Sequence, residues 1–284
     1  MKPILIDSST LIYNAFFKYG LTNNQNREVA VIYGFIENFL KLANKFESNE
    51  LIFCFDSRSN LRKEAFSEYK KRHEAMTETD IKIAKLRRKQ EVKLRNNILR
   101  QIGFRNIFYR TGFEADDILS YLAKRLKNSY LVTNDADMYQ NLDYCDIIDP
   151  KGKNIFTKKQ FRKKYKIKPS EWAKAKAIGG CQSDNVIGIN GASDPKNETS
   201  KALKYMTGEL TKGKIFDRIE SDEGRKIIAR NLKLVTCPYL NEDFKLKIKP
   251  NRITLKKIQL VLRKYSFNYL LRRENIGQWD IFLN

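Results

Sequence analysis

Three short apolar runs, each stopping at an aspartate, constrain this chain more than any other feature. Lys2–Ile6 (KPILI) runs into Asp7, Leu51–Phe55 (LIFCF) into Asp56, and Tyr130–Thr133 (YLVT) into Asn134-Asp135-Ala136-Asp137. The segments between them read as helices. Val31, Ile32, Phe35, Ile36, Phe39 and Leu40 recur at helical spacing within Val29–Asn44, and a long, charged, mostly helical region extends to about Arg100. A helix starting near Glu114 puts Ile118, Leu119, Leu122 and Leu126 on one face. This βαβ alternation predicts an α/β fold with a central, mostly parallel sheet wrapped by helices. From about residue 157 strand signals become few, and Lys-rich helical segments surround a Gly179–Gly191 loop. The expected organisation is an α/β core over 1–156 and a mainly helical region over 157–284.

Ligands of an open parallel sheet gather outside the carboxyl ends of its strands, so side chains placed there converge although far apart in sequence. Asp7, Asp56, Asp135 and Asp137 hold such positions. Glu114, Asp116 and Asp117 add carboxylates near a helix start, and Asp184 lies in the Gly-containing loop. Taken singly, each has a bland reading: a turn former, a helix cap, or an acid complementing a helix dipole. At about 100° per residue Glu114 and Asp117 share a side while Asp116 points away, so all three meet one ion only if the helix begins inside the motif. Taken together, crowded carboxylates repel one another unless cations sit between them. An oxygen-only cluster selects hard ions such as Mg²⁺ or Mn²⁺, and a pair of them can activate water and stabilise the leaving oxygen of a phosphodiester.

Charge points the same way. Lys and Arg number 55 against 33 Asp and Glu, a formal charge of +22 that calls for a polyanionic partner, with nucleic acid the best fit. No long apolar run or basic amphipathic anchor argues for a membrane. The start carries Asp7 and no small-residue cleavage site, unlike a signal peptide. Cys54, Cys145, Cys181 and Cys237 lack CxxC spacing, which speaks against zinc or a disulfide framework and suits a reducing cytoplasm. His73 is the single histidine, and there is no GxxxxGK[ST] phosphate loop.

Several motifs in a fixed order resemble the 5′ nuclease family, the phage and bacterial 5′-to-3′ exonucleases and flap endonucleases. They are ILIDSST at Asp7, FDSR at Asp56, FSEYKKR around Lys70, GFEADD at Glu114–Asp117, TNDADMYQ from Asp135, and GGCQSDNVIGING around Asp184. The resemblance spans roughly residues 2–240, and the phage branch, with its primer-removing enzymes, looks nearest. It implies a PIN-like core with a helical arch over about 58–105. It also implies that Asp7, Asp56, Glu114 and Asp116, with Asp117 as an addition, hold one metal ion. Asp135, Asp137 and Asp184 hold a second, and Asp135 stands near both. Lys70 matches a lysine that approaches the scissile phosphate. Arg72 is similar to a nearby arginine, one residue short of the usual YKxxR spacing.

Two departures from the family pattern stand out. Cys181 occupies the place of a metal-binding aspartate in the family's GDxxDN, and a thiol is a poor Mg²⁺ ligand, so the second ion site is weakened. The family's GxGxGPKTA-like turn, which binds the duplex backbone and often a K⁺ ion, reads GINGASDPKNETSKAL here. A helix–turn–helix-like contact is expected there, with Gly188, Gly191, Lys196 and Lys201 facing DNA, and a K⁺ site is left open. Residues 58–105 carry fifteen Lys/Arg against six Asp/Glu, which places Arg62, Lys63, Lys70 and Lys71 on the nucleic-acid side of the arch. Tyr69 and Phe66 read equally as base-stacking or core residues, and Trp172 as core.

The function these features imply is a metal-dependent 5′-to-3′ exonuclease or flap endonuclease, a monomer acting on flaps, nicks or RNA primers and leaving a 5′-phosphate. RNA in RNA–DNA hybrids is left open as a substrate, and a replisome partner has no visible docking motif. The first alternative is a branched-DNA-binding protein that cuts poorly because of Cys181. A PIN-type ribonuclease is the second, though such domains are usually shorter.

Overall fold

A computed structural model describes residues 1–22, 26–71, 76–193 and 199–283 of the chain. The chain opens with β1 (Ile4–Asp7), α1 (Ser8–Tyr19), α2 (Ala30–Lys45) and β2 (Leu51–Phe55). Next come α3 (Leu61–Ala65) and α4 (Glu78–Lys93), which continues through a π-helical turn at Leu94–Ile98 into α5 (Leu99–Ile102). β3 (Ile107–Tyr109), α6 (Ala115–Leu126), β4 (Ser129–Val132), β5 (Cys145–Ile148) and β6 (Ile155–Phe156) complete the sheet. Beyond it lie α7 (Lys158–Tyr165), α8 (Trp172–Gly179), a hairpin of β7 (Gly180–Cys181) and β8 (Val186–Ile187), and α9 (Ser200–Met206). Five further helices follow among the described residues: α10 (Lys214–Glu220), α11 (Asp222–Val235), α12 (Leu255–Lys264), α13 (Asn268–Leu271) and α14 (Arg273–Ile276).

The sheet order is β3-β2-β1-β4-β5-β6, with β6 antiparallel and every other pairing parallel. β1 is central and fully buried, in register with β2 from Ile4↔Leu51 to Asp7↔Cys54. Strand order reverses at β1: the chain moves outward through β2 and β3, then returns to place β4 on the other side. A crevice opens at such a switch point, and Asp7 and the segment after β4 flank it. The expected parallel sheet is present, with three strands beyond the three read from the sequence. β3 is only three residues long, β5 carries Asp146 within it, and β6 has two residues, so none offers a long apolar run.

Each sheet face is covered. One packs α1 and α2 together with the C-terminal Val261, Leu262, Trp279 and Phe282; the other packs α6 with Phe161, Trp172, Tyr239 and Phe244. Residues beyond 156 thus help complete both faces. Trp172 is core, as expected, and donates its indole N–H to the Ala136 carbonyl at 2.8 Å. Gly34 lets α1 and α2 cross closely: a Cβ there would lie 2.8 Å from the Ala15 methyl and 2.5 Å from the Tyr19 ring.

One side chain of the basic segment helps fasten α4 to this core. α2 has no side-chain cap of its own at Val29; instead Gln90 of α4 accepts from the Val31 and Ile32 N–H groups at 3.1 and 3.4 Å. The Gln90 amide also donates to the Leu21 carbonyl at 2.8 Å. Replacing Gln90 by Leu strands those buried groups, and urea denaturation is expected to show a loss of about 1–3 kcal/mol. A change within error would mean that Gln90 does not cap α2.

Candidate metal centre

Asp7 ends β1 and caps α1. Its Oδ1 accepts from the Thr10 N–H at 3.1 Å, and its Oδ2 accepts from the Thr10 hydroxyl and, at 3.0 Å, from Thr133 Oγ1 beyond β4. Asp56, just past β2, accepts from the Ser9 hydroxyl and from the Ala115 N–H at 2.8 Å. That second bond docks the first turn of α6 against the sheet edge. Helix α6 has Glu114 as its N-cap, so it does begin inside the Glu-Ala-Asp-Asp motif. Glu114 and Asp116 therefore turn toward the other carboxylates, and Asp117 turns inward.

Mutual repulsion marks the centre. Burial, then Asp56, pushes Asp7 up to about 6. Asp116 is raised well above the ordinary carboxylate range by burial, then by Asp135 and Asp7. Asp135 stands exposed at the mouth, yet local desolvation and Asp137 still raise it. Asp137 and Asp184 are raised by burial against the pull of Lys176 and Lys70 respectively. For Glu114 burial is outweighed by Lys70 and Arg62, and its carboxyl is lowered. The Lys70 ammonium lies 2.5 Å from Glu114 Oε1 and 3.5 Å from Asp184 Oδ1, spanning the cluster. Its backbone is held by an N–H bond to the Asp184 carbonyl at 2.8 Å, in the left-handed region at φ 50°.

A pH dependence follows for the metal-free protein. A folded-state carboxyl with a raised pKa keeps a proton that the unfolded chain has released, so stability is greatest at low pH and falls as pH rises through the folded pKa. Asp7 moves from 3.8 to about 6 and contributes on the order of 3 kcal/mol across that window. Glu114 acts in the opposite direction. Urea denaturation in chelator is expected to show stability falling between pH 4 and 6.5, with a flatter profile for Asp7→Asn. An unchanged slope in that variant would exclude Asp7 as the source.

The other half of the centre is built by Asp137, Cys181 and Asp184, one ligand atom of each lying within 4.8 Å of the others. Cys181 Sγ lies 3.5 Å from Asp137 Oδ2 and 3.1 Å from Ser183 Oγ, and burial pushes its thiol up to about 12. Lys176 Nζ is 3.0 Å from Asp137 Oδ1. The donors fit divalent ions: oxygen alone from Asp7, Asp56, Glu114, Asp116 and Asp135, oxygen plus sulfur in the second group.

Two assignments are corrected by the structure. Arg62 is 2 % exposed and does not face nucleic acid; it makes two parallel bonds to Asp117, at 2.8 and 2.7 Å, and donates to the Leu234 and Thr236 carbonyls. Asp117 is fully buried and its oxygens also accept from the Glu114 and Tyr239 N–H groups, which leaves it turned away from the metal cluster. A buried guanidinium needs a buried carboxylate, and each satisfies the other. Tyr69 is buried too, its hydroxyl donating to Glu114 at 2.9 Å and to Asp184 at 3.1 Å, and Phe66 packs beside it. Lys63 and Lys71 are exposed, Lys71 pairing with Glu68, and Lys201 is half-buried. Gly188 and Gly191 line a cavity of about 390 Å³ beside the β7–β8 hairpin. Arg72 and Lys196 lie outside the described residues. Sequence reasoning did not single out Lys176, Thr133 or Ser9. Nothing distinguishes Lys176 from Lys174 until α8 turns one inward and the other to solvent.

Fold and site together define an α/β protein with a carboxylate-rich centre at the topological switch of its sheet. Residues 2–166 match the family described as 5′-3′ exonuclease, N-terminal resolvase-like domain. The chain belongs to that family. It is 30% identical over 287 residues to the thermostable DNA polymerase I of Thermus aquaticus, covering 95% of this chain and 32% of that one. It thus spans about a third of that polymerase's length. With a 5′-3′ exonuclease of Buchnera aphidicola subsp. Schizaphis graminum it is 28% identical over 297 residues, 94% of this chain and 98% of the other. Among solved structures, the phage T5 D15 protein co-crystallised with metal ions superposes with a TM-score of 0.69 at 18% identity, covering 95% of this chain and 98% of that one. The catalytic core of Rad2 in complex with DNA substrate gives 0.55 at 16% identity, covering 99% and 91%. These likenesses show the shared fold. All four cysteines are free and buried, and no helix among the described residues is long and apolar enough to cross a membrane.

Proposed function

We propose that this chain is a divalent-metal-dependent 5′ nuclease that hydrolyses phosphodiester bonds in DNA near 5′ ends, at flaps, nicks or RNA primers. The observation that carries the reading is the electrostatic coupling that links Asp7, Asp56, Glu114 and Asp116 to Asp135, Asp137 and Asp184, with the Lys70 ammonium between Glu114 and Asp184, in a chain of formal charge +22. The first four would hold one Mg²⁺ or Mn²⁺, and the last three a second, with Cys181 beside it. Bound there, such ions supply an activated water and a counter-charge for the leaving oxygen.

The remaining work belongs to the chain's own groups. Burial opposes the Lys70 charge, but Glu114, Asp184 and Asp116 outweigh it and keep the ammonium protonated. It is therefore a fixed cation for a phosphate entering the centre. Thr10, Thr133 and Ser9 hold Asp7 and Asp56 in position from behind. Exposed Lys63 and Lys71, with the cations of α4, attract the single strand. Gly188, Gly191 and Lys201 meet the duplex backbone, with a K⁺ ion as a further ligand of that turn. Solved relatives in complex with DNA, among them the phage T5 D15 flap endonuclease with DNA and metal ions, support this substrate class. The protein acts as a monomer in the cytoplasm, that of a bacterial host if phage-encoded.

Cys181 favours one other reading, a protein that recognises branched DNA and cuts it poorly. Labelled 5′ flap, nicked duplex and RNA–DNA hybrid, each in Mg²⁺ and in Mn²⁺, separate the two; binding without cutting in either ion selects the second. In the active protein Lys70→Ala is expected to lower single-turnover cleavage about a hundredfold or more, with a much smaller loss of affinity. Equal losses in both would show that Lys70 merely binds DNA.

A further inference from the structure

We infer that Cys181 makes the second cation position a mixed sulfur–oxygen site, built with Asp137 and Asp184, that takes a thiophilic divalent ion such as Zn²⁺ ahead of Mg²⁺. The location rests on the nuclease reading; the donor set is this chain's own. Cys181 sits in β7, and its register with Val186 of β8 fixes where the sulfur points. Its Sγ and one oxygen from each aspartate lie within 4.8 Å of one another, a spread that one ion can draw together.

The carboxylates are already oriented for it. Asp137 is only 8 % exposed; its Oδ1 pairs with the Lys176 ammonium at 3.0 Å, and its Oδ2 is turned to the sulfur. Asp184 is held by the Tyr69 hydroxyl on Oδ2 and by Lys70 on Oδ1. Ammonium and hydroxyl groups thus secure the ligands from outside, as outer-shell partners do in metal sites. Two carboxylates and a thiolate carry three negative charges, and Lys176 and Lys70 offset the excess left by a divalent ion. Mg²⁺ demands oxygen ligands in near-octahedral geometry, whereas thiolate suits Zn²⁺ and its congeners. The thiol proton passes to solvent when the ion binds.

The consequence is a pair of unlike positions: an all-oxygen one for Mg²⁺ or Mn²⁺ and a sulfur-containing one for a softer ion. The test uses Cd²⁺ and Co²⁺ as spectroscopic probes on the full chain at neutral pH. A sulfur-to-metal charge-transfer band is expected in the wild-type protein, saturating at one ion per chain and lost in Cys181→Ser. In Cys181→Asp, whose folding is checked by thermal melting, the band is also expected to vanish while Mg²⁺ affinity rises on the order of tenfold. No band in the wild type, or an undiminished band in Cys181→Ser, overturns the inference. If the wild type cuts flaps in Mg²⁺ but shows no band, only this inference fails. If the band is present and no cation supports cutting, the sulfur site stands and the nuclease reading fails.

Discussion

Replacing Asp116 by Asn is expected to lower single-turnover cleavage about a thousandfold while leaving DNA affinity within a few-fold. Asp116 lies within the cluster, feeling Asp135, Asp7 and Glu114 as well as Lys70. Asn keeps its shape and removes the negative charge that a divalent ion needs. Affinity rests elsewhere, on basic side chains spread along the chain, so the loss of one acid within the centre scarcely disturbs it. Rate and dissociation constant are measured on the same 5′-flap substrate, with Ca²⁺ replacing Mg²⁺ for binding. Parallel loss of both would contradict a metal-holding role for Asp116.

The second large effect concerns stability. Arg62→Ala is expected to destabilise the fold by about 3–5 kcal/mol in urea denaturation, because it leaves Asp117 buried without its counter-charge. Arg62 does more than neutralise. Its guanidinium lies 4.7 Å from the Tyr239 ring centre and donates to the Leu234 and Thr236 carbonyls, fastening the end of α11 and the segment after it to α3 and α6. Arg62→Lys retains the charge but cannot reproduce the two parallel bonds, so a substantial part of the loss is expected to remain. The double variant Arg62→Met, Asp117→Leu removes both charges and is expected to recover much of the stability of Arg62→Ala. A single-variant loss under about 1 kcal/mol would show that water reaches this pair.

The pattern of apolar runs ending in Asp carried far because it reflects a demand that acts locally. A strand buried on both faces admits no charge, so the first acid marks where the strand leaves the core; this holds at Asp56, one residue past β2, and at Asp7, the last residue of β1. Strands β3 and β5 escaped because each is short and interrupted by polar neighbours, with pairing supplied by the strands beside it. The motif from Glu114 to Asp117 was ambiguous for a reason helix geometry makes plain: the partition of its acids depends on where α6 starts. The Asp56 bond to the Ala115 N–H and the Glu114 cap settle that start. Asp117 then points inward.

Strand, helix and the acids at strand ends were determined by the sequence itself, since hydrophobic periodicity and the intolerance of the core for charge operate between near neighbours. The pairing of Arg62 with Asp117, the placing of Lys176 against Asp137, and the meeting of Cys181 with Asp184 were decided only in three dimensions. Charged side chains look alike along a chain. Which of them is buried, and beside which partner, depends on how α3, α6 and α8 pack around one sheet edge, where removal from water makes every ionic contact matter.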